Sequence, residues 1–73
     1  MKLTKLDRMI NFFFENQDKW FTCRCLANYV GCSMGTANTY ANDLVRNYPS
    51  NYYHVITQVN HRTGIKEYCC VRR

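Results

Sequence analysis

The chain is poor in the residues that break or bend a backbone, with a single proline (Pro49) and only three glycines, Gly31, Gly35 and Gly64, in 73 residues. That scarcity excludes collagen-like, Pro-rich and Gly-rich low-complexity chains, and no glycine cluster of the kind that cradles a phosphate occurs. Acidic side chains are also few, five against ten Lys and Arg, leaving a formal charge of +5 and a pI of about 9.1. A polyanion partner fits that balance electrostatically. No apolar run approaches the ~20 residues a membrane span needs. The start Met-Lys-Leu-Thr-Lys-Leu-Asp-Arg holds no uninterrupted apolar stretch, so the expectation is a soluble, cytoplasmic protein without membrane contact. A chain this short makes one domain, residues 1–73, that buries only about 60% of its unfolded surface, with no room for a separate catalytic domain. Neither His54 nor His61 has a Ser, Cys or carboxylate spaced like a catalytic set. Neither is read as catalytic, although His61 at the tip of the C-terminal hairpin can touch a phosphate, and no enzyme activity, cofactor or small-molecule ligand is expected.

Cysteine, by contrast, is plentiful: Cys23, Cys25, Cys32, Cys69 and Cys70. An odd number without a secretion signal argues against a disulfide framework. A zinc site is disfavoured too. Neither Cys-x-Cys nor Cys-Cys has the two-to-four-residue gap of a zinc knuckle, and on a helix Cys23 and Cys25 point about 200° apart. The thiols are read as small, partly buried hydrophobes, with no metal expected.

Thr4 is a candidate cap for a first helix running to Glu15 or Asn16. Leu3, Leu6, Met9, Ile10, Phe13 and Phe14 fill one arc, while Lys5, Arg8, Asn11 and Glu15 face the other way. Phe12 lies roughly 60° beyond the edge of that arc at Met9, and is either a partly covered flank aromatic or a contact for a dimer or partner. After the loop Asn16-Gln-Asp-Lys19, Trp20-Phe21 reads as a brief strand. Pro49 pushes its neighbour out of the α region and stops the last helix at Asn47-Tyr-Pro-Ser-Asn51. Two β-rich arms follow, Tyr52–Val59 and Ile65–Val71, joined by the turn Asn60-His-Arg-Thr-Gly64. The buried face of this hairpin stays open: Val55 with Cys69 and Val71 makes one apolar set, Ile56 with Tyr68 and Cys70 the other.

The most informative stretch is Thr22 to Leu44. Thr22 can cap a short helix whose apolar residues Leu26, Ala27 and Val30 share a face, with Phe21 and Leu26 placed for a hydrophobic staple. Gly31 breaks that helix where a positive φ costs least, Cys32 can plug the corner, and Ser33 can cap the next helix. Ala37, Tyr40, Ala41 and Leu44 form the inward face of this second helix. Met34, Gly35, Asn38, Thr39, Asn42 and Arg46 form an outward face without a carboxylate. Small groups and amides suit contact with base edges in a groove, since Asn can bond adenine N6 and N7 together and Thr can touch a thymine methyl.

The pattern of Ala27, Gly31, Ser33, Thr36 and Leu44, followed by the hairpin, resembles the winged helix-turn-helix DNA-binding domain over nearly the whole chain. The resemblance implies an α+β fold of three helices with a short strand and a C-terminal β-hairpin wing. It also implies sequence-specific binding of double-stranded DNA, as in small transcriptional regulators or recombination accessory factors of phages and plasmids. The helix after Ser33 would lie in the major groove, and the wing at 60–66 on the backbone or minor groove. Ser33, Met34, Gly35, Thr36, Asn38, Thr39 and Asn42 then become candidate DNA contacts.

One departure is that cations usual on such recognition helices are missing before Arg46. Affinity is expected instead from Arg24, Arg46, His61, Arg62, Lys66, Arg72 and Arg73. Residues 44–73 carry Arg46, Arg62, Lys66, Arg72 and Arg73 against Glu67 alone. Residues 1–43 set Lys2, Lys5, Arg8, Lys19 and Arg24 against Asp7, Glu15, Asp18 and Asp43. Asn38 and Asn42, one turn apart, predict a site with specific adenines. One such domain reads few base pairs, so a homodimer or cooperative assembly on repeated half-sites is expected. The alternative is a winged-helix module that binds protein rather than DNA, anchored by Phe12, Trp20, Tyr29, Tyr48 and Tyr52.

Overall fold

Capping chemistry sets the helix boundaries in the computed structural model, which describes residues 3–73 and so leaves Lys2 outside. Helix α1 spans Lys5–Glu15 behind a Thr4 capping box, in which Thr4 Oγ1 accepts from the Asp7 N–H and Asp7 accepts from the Thr4 N–H. Strand β1 is Phe21–Thr22, one residue later than expected, so Trp20 lies outside it. Thr22 caps α2 (Cys23–Val30) by accepting from the Cys25 N–H, and Gly31 ends that helix at φ +80°, the left-handed conformation glycine adopts without strain. Ser33 then caps α3 (Met34–Arg46), its Oγ accepting from the Thr36 N–H. Strands β2 (Tyr53–Val59) and β3 (Lys66–Arg72) complete the order.

The sheet is three-stranded and antiparallel with the order β1-β3-β2, so the last strand in sequence is the central one. Asp18, at φ +65°, adds to that centre by donating its N–H to the Cys70 carbonyl at 2.9 Å. The core draws Met9, Phe12 and Phe13 from α1, Leu26, Ala27 and Val30 from α2, and Ala37, Ala41 and Leu44 from α3, closed by Tyr48, Val55, Tyr68 and Cys70. Tyr48, on the segment after α3, donates its hydroxyl to the Ile10 carbonyl at 2.9 Å and so fastens α1. Burial drives the Tyr48 hydroxyl well above its ordinary pKa, with Cys70 adding to the shift. Among the described residues, no helix is long and apolar enough to cross a membrane.

Two sequence expectations need correction. Phe12 is a core residue, only 8% exposed, and not a free partner contact. Its ring lies 4.6 Å from that of Phe21 and 4.2 Å from that of Tyr29, because β1 and α2 cover the flank of α1 that a single-face reading leaves open. The buried arc is accordingly rotated toward Phe12, leaving Leu3 and Phe14 about half exposed at its far edge. The hairpin faces also divide differently. Val55 lies opposite Cys70, Ile56 opposite Cys69 and Thr57 opposite Tyr68, so Val55, Tyr68 and Cys70 share the core face while Ile56, Cys69 and Val71 share the other. The length of the turn sets this register: with residues 60–65 between the arms, odd-numbered residues of β2 oppose even-numbered ones of β3.

A core position for Phe12 makes a quantitative expectation. Phe12→Ala should lower the unfolding free energy by about 3–5 kcal/mol in a urea titration, the usual cost of emptying a buried aromatic site. A surface contact residue would change it by no more than about 0.5 kcal/mol.

Candidate functional site

The start of α3, the start of α2 and the turn end of the hairpin meet around one groove of about 500 Å³, lined by Thr22, Cys23, Arg24, Met34, Ile65 and Lys66. Met34 and Ile65 are 53% and 51% exposed, an apolar floor flanked by two cations with no carboxylate among the lining residues. Along α3, Ser33, Gly35, Asn38, Thr39 and Arg46 continue the exposed surface, with Thr36 and Asn42 half-buried at its margins. An exposed carboxylate, Asp43, also stands on this helix one turn beyond Thr39, which the expected outward face lacked. It pairs with Arg46 at 3.6 Å, the only ion pair among the described residues. An exposed pair of this kind contributes at most about 1 kcal/mol.

The amides of α3 are already engaged inside the chain. Tyr68, with its ring in the core, sends its hydroxyl out beneath α3, 2.8 Å from Asn42 Oδ1 and 3.1 Å from Asn38 Oδ1. Lys66 Nζ donates to Asn42 Oδ1 at 3.1 Å and sits 5.5 Å from the centre of the Tyr68 ring. Asn38 Oδ1 also receives Asn42 Nδ2 at 3.4 Å and the Cys23 thiol at 3.5 Å. A carboxamide oxygen has two lone pairs; with the one Tyr68 proton on the nearer oxygen, Asn42 Oδ1 is filled by Tyr68 and Lys66, and Asn38 Oδ1 by Asn42 Nδ2 and the Cys23 thiol. Bidentate adenine recognition needs the oxygen and the nitrogen of one amide together, so these asparagines do not stand ready for it. Thr39 likewise spends its hydroxyl proton on the Gly35 carbonyl at 3.0 Å. Desolvation is the main cause that pushes the Tyr68 hydroxyl from 10.0 up to about 12, with the neighbouring Cys23 adding to it. Tyr68 is therefore a protonated donor at any ordinary pH.

The expected cations do not all gather here. Arg24 and Lys66 flank the groove, while His61 and Arg62 project from the tip of the hairpin turn. That turn is closed by Gly64 at φ +70° and by the Asn60 N–H donating to the Ile65 carbonyl at 2.9 Å. Arg72 and Arg73 stand at the opposite end of β3, roughly 20 Å from Lys66 at ~3.3 Å per residue. Clustering in the sequence thus becomes separation along a strand. Of the aromatic anchors considered for a protein partner, Phe12 and Tyr48 are buried, whereas Trp20, Tyr29 and Tyr52 remain exposed. Sequence reasoning missed Tyr68, Cys23 and Ile65 as parts of the site. The only signal for Tyr68 was the hairpin register, which the residues alone left open.

No family model, curated protein or solved structure matches this chain.

The Tyr68 hydroxyl has a measurable signature. A tyrosine whose folded pKa is raised supplies its full stabilisation below the unfolded value of 10.0 and loses it as pH climbs toward about 12. Tyr68→Phe should cost about 0.5–1.5 kcal/mol at neutral pH. It should also flatten part of the fall in melting temperature between pH 10.0 and about 12, a fall that the raised Tyr48 hydroxyl shares.

Proposed function

We propose that the chain is a winged-helix protein that binds duplex DNA, with the first turns of α3 against the major groove and the turn at 60–65 on the adjacent backbone. The observation that carries this reading is Gly35. It occupies the exposed first turn of α3, where glycine is a poorer helix former than alanine by at most about 0.5–1 kcal/mol, its cost in a helix interior. Nothing within the chain requires it: its φ is not positive, and an added Cβ would meet only Ser33 Oγ at 4.0 Å. A residue that costs stability and relieves no internal crowding fits a surface that something outside approaches closely.

The surroundings favour a phosphate backbone as that partner. The N–H groups of Met34 and Gly35 have no intrahelical acceptor, as at any helix start, and a helix N-terminus attracts anions. Arg24 and Lys66 stand on the same side, with Arg62 at the turn and Arg46 farther along α3. With the asparagine oxygens occupied, base recognition rests on donors and on shape. Asn38 Nδ2, which has no hydrogen bond among the described residues, suits the N7 acceptor that adenine and guanine share. The expected adenine preference therefore weakens to a purine preference. A small regulator or recombination accessory factor working in the cytoplasm is the corresponding biological role. The exposed Met34 and Ile65 favour the second reading, a protein partner seated in the same groove.

Selection of duplexes from random sequence, followed by fluorescence anisotropy at several salt concentrations, separates the two readings. Contacts from Arg24, Arg46, Arg62 and Lys66 to about four phosphates give a log–log salt slope of about −3 to −4. Arg24→Ala and Arg62→Ala should each make the slope shallower by about one, on selected and random duplexes alike. Arg72→Ala should leave it unchanged. Gly35→Ala should melt higher than the wild type yet bind the selected duplex roughly tenfold more weakly, equivalent to about 1.4 kcal/mol. A wild-type slope near zero would remove the DNA reading in favour of the protein module.

A further inference from the structure

Strand β2 is an outer strand of the sheet, the longer of the two, and its sequence, Tyr-His-Val-Ile-Thr-Gln-Val, contains no Lys, Arg, Asp, Glu, Pro or Gly. Edge strands are ordinarily blunted by charge, proline or a bulge, because their unpaired N–H and C=O groups are a template for another strand. Here none of these devices is present, although the chain as a whole is rich in cations.

The direction of the free groups follows from the ladder. The Asn60 N–H donates to the Ile65 carbonyl and the Arg73 N–H to the Tyr52 carbonyl, so even-numbered residues of this arm turn their main-chain groups toward β3. The odd-numbered residues turn theirs outward. The far side of β3 agrees: Tyr68 pairs with Phe21 of β1, and the Cys70 carbonyl accepts from Asp18. The Tyr53 N–H is taken by Ser50 Oγ at 3.2 Å. The outward groups of Val55, Thr57 and Val59 and the Tyr53 carbonyl have no partner among the described residues.

We infer that this edge pairs with the same edge of a second copy, antiparallel about a two-fold axis at Ile56, joining two three-stranded sheets into one. The occupant follows from self-complementarity. Setting Val55 against Thr57 of the partner subunit, and Thr57 against the partner's Val55, aligns outward groups with outward groups; a one-residue slip breaks that alignment. In this register the 54% exposed Val59 comes to lie opposite the partner's Tyr53, Ile56 opposite its own equivalent, and His54 opposite the partner's Gln58. No charged side chain meets its like across the axis, although each copy carries +5. Isologous two-fold contacts are the commonest mode of self-association, and a single strand edge makes a weak, concentration-dependent one.

The inference does not rest on the DNA reading and is tested without nucleic acid. Sedimentation equilibrium of the full chain should show a reversible shift from 8.7 kDa toward twice that mass as concentration rises. Thr57→Lys places like charges beside the axis and should hold the chain as a monomer, with circular dichroism confirming that it folds. In a Cys25→Ser background, Ile56→Cys brings two thiols together across the axis at a non-hydrogen-bonded position, where Cα atoms stand about 4.5 Å apart, within disulfide reach. Mild oxidation should then give a covalent dimer. Gln58→Cys in the same background should give none, because its equivalent in the other copy lies several residues away. A chain that stays monomeric at every concentration overturns the inference. A dimer that survives Thr57→Lys, or one that cross-links through position 58 and not 56, overturns it equally.

Discussion

Much of the structure depends on where one tyrosine is held. Tyr68 belongs to β3, the central strand, so its backbone is fixed from both sides, by β1 at Phe21 and by β2 at Thr57. Its ring fills the core, and its hydroxyl reaches Asn38 and Asn42 of α3. A buried phenol needs a partner for its proton, and leaving one unmade costs about 1–3 kcal/mol. The two asparagines meet that need, and in doing so they set the position of α3 against the sheet. Lys66 and Cys23 join the same cluster from β3 and from the first turn of α2. The helix with the most exposed polar surface is therefore tied to the turn end of β3 by side chains as well as by apolar packing.

This tie explains which parts of the molecule were legible beforehand. Helix boundaries are local events: Thr4, Thr22 and Ser33 cap with their own side chains, and Gly31 takes the left-handed conformation that other residues avoid. Each is encoded within a few residues, and each appears where the sequence places it. Faces that depend on neighbours were less legible. The burial of Phe12 needs Phe21 and Tyr29 from two other elements, which the period of α1 does not encode. The division of the hairpin into faces needs the parity of its turn, and an alternation of apolar residues on both faces leaves that parity unmarked. Once the register is known, Tyr68 moves to the core face, and the asparagines change from free amides into partners of its hydroxyl. One unresolved local quantity thus altered the reading of the site on a different element.

Charge followed the same logic. Five cations in the last thirty residues look like a single basic patch, but β3 is extended and carries Lys66 and Arg72 to opposite ends. An extended strand separates neighbours in sequence faster than any other regular structure, at ~3.3 Å per residue against ~1.5 Å in a helix. The cation that does join Lys66 at the groove is Arg24, which lies forty-two positions earlier in the chain. A proposed polyanion surface here is therefore narrower than the composition implies, and it is centred on helix starts more than on the C-terminal arm.

Two features remain that the internal physics of the chain does not require, a glycine in the exposed first turn of α3 and an outer strand without a charge. The first gives up helix stability and the second gives up protection against strand pairing, and neither is compensated by a contact within the chain. Elsewhere the local choices agree with the fold: the caps are occupied, the buried tyrosine hydroxyls have acceptors, and no buried side-chain nitrogen or oxygen lacks a partner among the described residues. Against that consistency, exceptions on the surface are best explained by what meets the surface. They lie on different elements, α3 and β2, and they ask for different chemistry, a close approach beside cations in one case and a matching strand in the other. A single partner satisfying both would have to present an anionic ridge and an unpaired peptide edge together. The two proposed partners, a nucleic acid at α3 and a second copy of the chain at β2, would each meet one of these demands, and because the two surfaces lie on different elements neither proposal depends on the other.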